Sequence, residues 1–304
     1  YIRGRDRALR ALELRYPGFT ESVKSNDPAA LAETGTQDVP YLYWAAAGWL
    51  GVPVPAPAAV LRLRGESPPS APAGGWLACM DPVSMAADMR ELHLLDDAPA
   101  LVAEEASALR RSILPSLEER GFSLQVGAPG RWYVAADEER AFRAAAPAVA
   151  RAGRIRDELP AGPDGGVFRA LGNEIQMLWH DHPVNEERVG RGLAPVNSVW
   201  FWGGGPVATS AGGARQLPPL YATDPLLRGL WLELGAEPAA PPAGEAAARA
   251  LAAGAVMALP GAALADPGLR RTLRRGRLVI VTRDGLTAVP PRRGLRALLT
   301  WGRR

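Results

Sequence analysis

Residues 168–205 read FRALGNEIQMLWHDHPVNEERVGRGLAPVNSVWFWGGG, and the organisation of the chain follows from this stretch. Phe168, Leu171, Ile175 and Leu178 recur at helical spacing and predict an amphipathic helix, with Asn173, Glu174 and Gln176 off its apolar face. Pro183 cannot continue that helix and pushes His182 out of the helical region, so the helix should end near Trp179 or His180. His180, Asp181 and His182 then sit at a helix C-terminus, where the dipole favours a protonated imidazole. Asn185 followed by Glu186 and Glu187 reads as the N-cap and acidic first turn of a second short helix, closed by Gly190 or Gly192. Val196 to Trp202 alternates as a strand and runs into Gly203, Gly204 and Gly205.

Two readings of these residues stand side by side. In the functional one, Arg188 and a protonated histidine meet a phosphate or carboxylate, and the triple-glycine backbone closes over it at a strand end. The candidate ligand-binding residues are then His180, His182, Asn185, Arg188, Asn197, Gly203, Gly204 and Gly205, with Glu174 as an acid or base beside them. In the structural one, His182, Asn185 and Asn197 hydrogen-bond internally to fix the Pro183 turn and the start of the strand. Glu174 is then exposed or paired with an arginine, and Trp200 and Trp202 are core.

The order His182-Pro183-Val184-Asn185, Arg188, Gly192, Pro195-Val196-Asn197, Trp200, Trp202-Gly203 and Gly205 resembles the signature of the archaeal-type, cofactor-independent phosphoglycerate mutases. With Asn173 to Leu178 ahead of it, the stretch resembles still more a bacterial group of mutase-like regulatory proteins of the RpfE type. The resemblance covers about a fifth of the chain well. It implies an α/β fold, a partial relative of the alkaline-phosphatase-like mutases, with a smaller α+β region. It also implies a phosphoglycerate-type substrate and two metals. That family carries an Asp-Gly metal-binding segment and a serine or threonine nucleophile in its N-terminal part, and no Asp-Gly followed by a second aspartate stands here. Asp81-Pro82-Val83 resembles a segment that the bacterial group follows with histidine, where this chain has Ser84.

The 304 residues are 47% hydrophobic, enough for a real core in one large or two small domains. Lys24 is the only lysine, so there is no P-loop; HExxH, CxxC and GxSxG are also missing, and the single Cys79 excludes an internal disulfide. Gly203-Gly204-Gly205-Pro206 lacks the helix that a dinucleotide turn requires. His180, Asp181 and His182 carry donors that suit zinc or manganese, but positions two apart chelate poorly from a helix and His93 is the only other imidazole. A divalent metal stays an alternative cofactor, with no residue assigned to it. No apolar run is long enough to span a membrane and no signal-peptide pattern opens the chain, so the expectation is a cytoplasmic protein.

Charge is unevenly placed. From Arg270 to Arg304 eleven arginines face Asp284 alone, a net of +10, which leaves −7 of the overall +3 for the rest. A solvated arginine-rich surface is the first reading of this tail. Nucleic acid is the lesser alternative, because Trp301 is the only stacking aromatic that accompanies it.

In chain order, residues 1–66 are expected to be mainly helical, with helices at Asp6–Leu14 and Tyr41–Leu50, and Gly65–Gly75 reads as a linker. Residues 76–135 form an α+β subdomain: strands at Trp76–Met80 and Glu91–Leu95, a helix over Ala98–Arg120 ended by Gly121, and a hairpin of Ser123–Val126 with Arg131–Ala135. Ala136 to Gly166 is read as helical, then loop. Residues 167–304 form an α/β region carrying the signature. There Asp224 caps a helix through Leu234, Gly244–Ala253 is an alanine-rich helix, and Leu278–Thr282 and Leu286–Val289 flank an Asp-Gly hairpin turn. Gly294–Trp301 closes the chain as an amphipathic helix. The functional expectation is a mutase-like protein short of full dimetal catalysis, with a pocket for a small phosphorylated or carboxylate ligand and a regulatory or binding role. The alternatives are an active mutase or related metal-dependent phosphatase and a nucleic-acid-binding regulator.

Overall fold

The computed structural model of the chain describes residues 57–66, 72, 74–87, 92–95, 100–150, 155–207, 217, 219–242, 246–247, 249–250 and 255–260, with strands at 277–282, 285–289 and 295–301. The expected helices at Asp6–Leu14 and Tyr41–Leu50, and much of Gly244–Ala253, lie outside these residues. The fold is mixed α/β, and contacts group residues 55–209 into one unit and residues 210–304 into another.

The first unit is built on an antiparallel sheet of β1 (Trp76–Val83), β4 (Ser123–Ala128), β5 (Arg131–Ala136) and β6 (Ser198–Pro206), in the order β4-β5-β1-β6. A small hairpin of β2 (Met85–Ala87) and β3 (Leu92–Leu94) follows β1. Because β6 pairs with β1 through Met80↔Phe201 and Asp81↔Trp200, the signature strand is an integral part of the 76–135 sheet. β6 thus lies in the same contact unit as residues 76–135.

Side chains alternate across this sheet. Trp76, Ala78 and Met80 of β1, Trp132 and Val134 of β5 and Phe201 of β6 point to one face, where they meet Leu109, Ile113 and Leu117 of α2 (Ala103–Glu118) and Phe168, Leu171, Ile175 and Trp179 of α4 (Gly165–His180). The helix stripe thus uses Trp179, which is wholly buried, whereas Leu178, the expected fourth member, is 43% exposed. An aromatic cluster centres on Phe168, with ring centroids 4.0 Å from Phe142 and 5.2 Å from Phe201. The opposite face carries Leu77, Cys79, Asp81, Tyr133 and Trp202 and receives α1 (Ala58–Arg64).

α2 starts five residues later than the periodicity suggested, and its end at a left-handed Gly121 agrees. Among the described residues of 137–164 stand the short α3 (Pro147–Ala150) and a 3-10 turn at Ile155–Glu158. After α4, α5 (Pro183–Gly190) leads through a loop to β6.

The second unit contains β7 (Leu220–Tyr221), α6 (Pro225–Glu233), β8 (Val256–Pro260), β9 (Arg277–Thr282), β10 (Gly285–Val289) and β11 (Leu295–Trp301). Asp224 caps α6 by accepting from the Leu227 N–H at 2.9 Å, and β9 and β10 pair antiparallel as expected. In the order β10-β9-β11-β8-β7 the last four strands run parallel, with β10 as an antiparallel edge. The expected closing helix is in fact β11, an interior strand between β9 and β8. Leu295, Leu298 and Leu299 suit a helical face, but Leu295, Ala297, Leu299 and Trp301 suit a strand equally, and a run this short is not decided by its period.

Candidate functional site

The short segment between α4 and β6 is organised as a clasp. Asn185 does not cap α5; it sits in the first turn, buried, and its side chain engages both backbone groups of one residue of the strand approach. Nδ2 donates to the Val196 carbonyl at 2.9 Å and Oδ1 accepts from the Val196 N–H at 2.8 Å, while Nδ2 also donates to the Trp179 carbonyl at 2.8 Å. Asn197 repeats the device on Met85, with Met85 N–H to Oδ1 at 2.8 Å and Nδ2 to the Met85 carbonyl at 2.7 Å. Ser84 donates to the Pro195 carbonyl at 2.6 Å. These bonds satisfy backbone amides and carbonyls around the clasp, each with a net value of about 1 kcal/mol.

Arg188 lies in the same clasp. Its guanidinium is buried, with Nη1 2.7 Å from Glu105 Oε2 of α2, Nε donating to the Ala194 carbonyl at 3.0 Å and Nη1 also near the Ala100 carbonyl at 3.3 Å. The half-exposed Arg191 reaches the other Glu105 oxygen at 3.0 Å. Glu105 accepts in addition from the Val102 N–H at 3.3 Å, so one carboxylate joins the start of α2 to two arginines at the end of α5. The Arg188 charge is neutralised inside the protein.

The glycines serve both faces of the sheet, Gly203 and Gly205 toward α1 and Gly204 toward Trp76 and Phe142. Leu77 pairs with Gly205 and Cys79 with Trp202, so Gly203 and Gly204 together oppose the single Ala78 in a β-bulge, with Gly203 at φ +65. A Cβ on Gly203 would stand 2.9 Å from the Ala58 Cβ of α1, one on Gly205 3.0 Å from Pro57, and one on Gly204 2.6 Å from Trp76. The backbone is bare here so that α1 and two aromatic rings can approach it. Among the described contacts none joins Gly203–Gly205 to His180, His182 or Arg188.

His180 and Asp181 project into solvent, 82% and 91% exposed, 3.8 Å from one another. His182 is the N-cap of α5: its Nδ1 accepts from the Val184 N–H at 3.2 Å, and burial lowers its pKa. Glu174 accepts from Ser116 at 2.5 Å and from Arg120 at 2.7 Å, tying α4 to α2. The Nδ1 of His182 is engaged by the Val184 N–H and is not open to a divalent metal; among the described residues no three metal-ligating side chains gather.

Comparison with known proteins finds relatives of part of the chain. Over 52 residues, 17% of this chain and 13% of the relative, it is 42% identical to the 2,3-bisphosphoglycerate-independent phosphoglycerate mutase of Methanothrix thermoacetophila. The corresponding enzyme of Methanosarcina acetivorans is 44% identical over 52 residues, again 13% of its length. Part of the chain is phosphoglycerate-mutase-like. The matched region spans about an eighth of these curated relatives. A cofactor-independent phosphoglycerate mutase from Thermoplasma acidophilum superposes with a TM-score of 0.36 at 17% identity, over 64% of this chain and 56% of that one. A protein from Pyrococcus horikoshii gives 0.35 at 12% identity, over 62% and 43%. A family model described as TRAP transporter T-component matches residues 1–54, outside the described residues. No helix among the described residues is long and apolar enough to cross a membrane.

Beside the mutase-like stretch lies a buried charge network that spacing did not reveal. Arg62 of α1 donates to both Asp81 oxygens at 2.6 and 2.7 Å and to the Tyr133 hydroxyl at 3.0 Å, with its guanidinium over the Tyr133 and Trp202 rings. Tyr133 donates to Glu66 at 2.8 Å, Glu66 pairs with Arg131 at 2.6 Å, and Trp202 Nε1 donates to Asp81 at 2.8 Å. Burial opposes the Arg62 charge, but the Asp81 carboxylate outweighs it and holds the guanidinium well above its ordinary pKa. Burial pushes the Tyr133 phenol and the neighbouring Cys79 thiol far up, which makes both inert as acids and nucleophiles. Arg62 flanked by Leu61 and Leu63 in the run AAVLRLR and Asp81 inside a strand were the available signals; Glu66, in a stretch composed like a linker, offered none.

Proposed function

We propose that the chain is a phosphoglycerate-mutase-like protein, a partial relative of the alkaline-phosphatase-like mutases, that works in regulation or as a binding module and not by full dimetal catalysis. Its ligand in this reading is a small phosphorylated or carboxylate molecule. The observation that carries the reading is the Arg188–Glu105 pair: the permanently charged residue of the signature is neutralised within the fold. Asn185 and Asn197 are likewise engaged on backbone groups, so this pattern of residues is explained by folding and does not of itself require turnover. The missing aspartate after any Asp-Gly pair supports the same view. An anion would reach Arg188 only by competing with Glu105, which makes binding weak and conditional.

The mutase relatives favour a second reading, a working phosphoglycerate mutase. Two measurements separate them. Interconversion of 3- and 2-phosphoglycerate with manganese added should stay at the blank, and phosphate, 3-phosphoglycerate or citrate should raise the melting temperature of the full chain. Robust turnover overturns the first reading in favour of the second. No turnover together with no stabilisation by any of the three anions removes the ligand from the proposal.

A further inference from the structure

We propose that His182 is an acid-sensitive cap: it holds the first turn of α5 only while its imidazole is neutral, so acidification loosens the clasp that α5 forms with α4, α2 and β6. Helix N-caps are ordinarily oxygen acceptors of Ser, Thr, Asn or Asp, which keep accepting near neutral pH. Here the acceptor is a ring nitrogen. With Nδ1 receiving the Val184 N–H at 3.2 Å, the single ring proton of the neutral form must reside on Nε2. A second proton can enter only at Nδ1. It turns the acceptor into a donor facing another N–H, and it places a positive charge at the end of the helix where the dipole is itself positive.

No neighbouring charge offsets this. From the end of α4, His180 and Asp181 lie in solvent, 3.8 Å from each other. Glu186 and Glu187 on α5 are exposed, and no carboxylate among the described residues is hydrogen-bonded to the His182 ring. From α2, Glu105 is held by Arg188 and Arg191. Val196 to Ser198, leading into β6, carry no titratable group. Burial is accordingly the cause that lowers the His182 pKa.

The sign of the effect follows. The unfolded chain takes up the proton near the ordinary histidine value of about 6.5, and the folded chain only at lower pH. The stabilisation by the cap is complete above about pH 6.5 and is lost progressively as pH falls through the interval down to the folded value. Loosening the first turn of α5 acts on what the helix carries, namely the Asn185 bonds to Trp179 and Val196 and the Arg188 bond to Glu105. This inference stands whichever functional reading holds.

The test is a histidine titration by nitrogen-15 NMR on the full chain, with melting curves between pH 5.5 and 7.5. His182 should show the Nε2–H tautomer and titrate below the ordinary histidine value of about 6.5, and the Val184 amide shift should follow the His182 titration. Wild type and His180→Asn should each melt about 2–4 °C lower at pH 5.5 than the rest of the chain's titration accounts for, the size expected of one lost cap. His182→Asn, which caps through an oxygen, should not show that step. His182 titrating at or above the ordinary value of about 6.5, or a Val184 amide indifferent to the titration, would overturn the proposal even if the variants failed to fold.

Discussion

Replacing Arg188 with alanine separates a structural clasp from a ligand contact. The substitution leaves the Glu105 carboxylate, 9% exposed, with the half-exposed Arg191 at 3.0 Å and the Val102 N–H at 3.3 Å. Removing one partner of a buried ion pair costs about 3–5 kcal/mol. Arg191 still neutralises Glu105 from the solvent side, which sets the expected loss near the lower end, about 3 kcal/mol. For a unit the size of residues 55–209 that corresponds to a melting point lower by about 6–12 °C. Thermal and urea unfolding of wild type, Arg188→Ala, Glu105→Gln and the double variant Arg188→Met with Glu105→Leu would measure it. The double variant should recover much of the loss, since it removes both buried charges and leaves neither uncompensated. The reasoning fails if Arg188→Ala melts within about 1 °C of wild type. It fails equally if that variant keeps its stability and loses only the response to phosphate, 3-phosphoglycerate or citrate.

Two other perturbations follow from the opposite face of the sheet. Asp81→Asn keeps the shape of the side chain but leaves the buried Arg62 guanidinium without its counter-charge, so denaturant unfolding should show a loss of about 3 kcal/mol; less than about 1 kcal/mol would mean that Tyr133 and Trp202 suffice. Gly203→Ala combines φ +65 with a Cβ 2.9 Å from Ala58, whereas Gly192→Ala has φ +73 and open space, so the first should cost more than the second, itself about 1 kcal/mol; equal losses would show that α1 does not require the bare backbone.

Several local features were legible without a structure. The helix over 165–180 shows in its apolar spacing and in Pro183, the hairpin of β4 and β5 in its alternation around Gly127 to Gly130, and the cap of α6 in Asp224 followed by proline. Each depends on interactions within a few residues, where sequence and geometry are tied by backbone stereochemistry. Even there the limits are visible: Asn185 and its two glutamates look like a helix start, but the chain caps α5 with His182 and sends the Asn185 amide to Val196.

Sequence alone therefore determined the local alphabet of this protein: where helices stop, which residues turn, and a mutase-like pattern from His182 to Gly205. Tertiary structure decided what that pattern does. Whether Arg188 faces an anion or a carboxylate depended on Glu105, 83 positions away. Whether three glycines form a ligand loop or a bulge depended on α1 arriving over them. Whether residues 295–301 coil or extend depended on β8 and β9 offering hydrogen-bond partners on both sides. In each case the local stretch permits two states of similar energy, and the choice is made by a partner brought near only when the chain has folded.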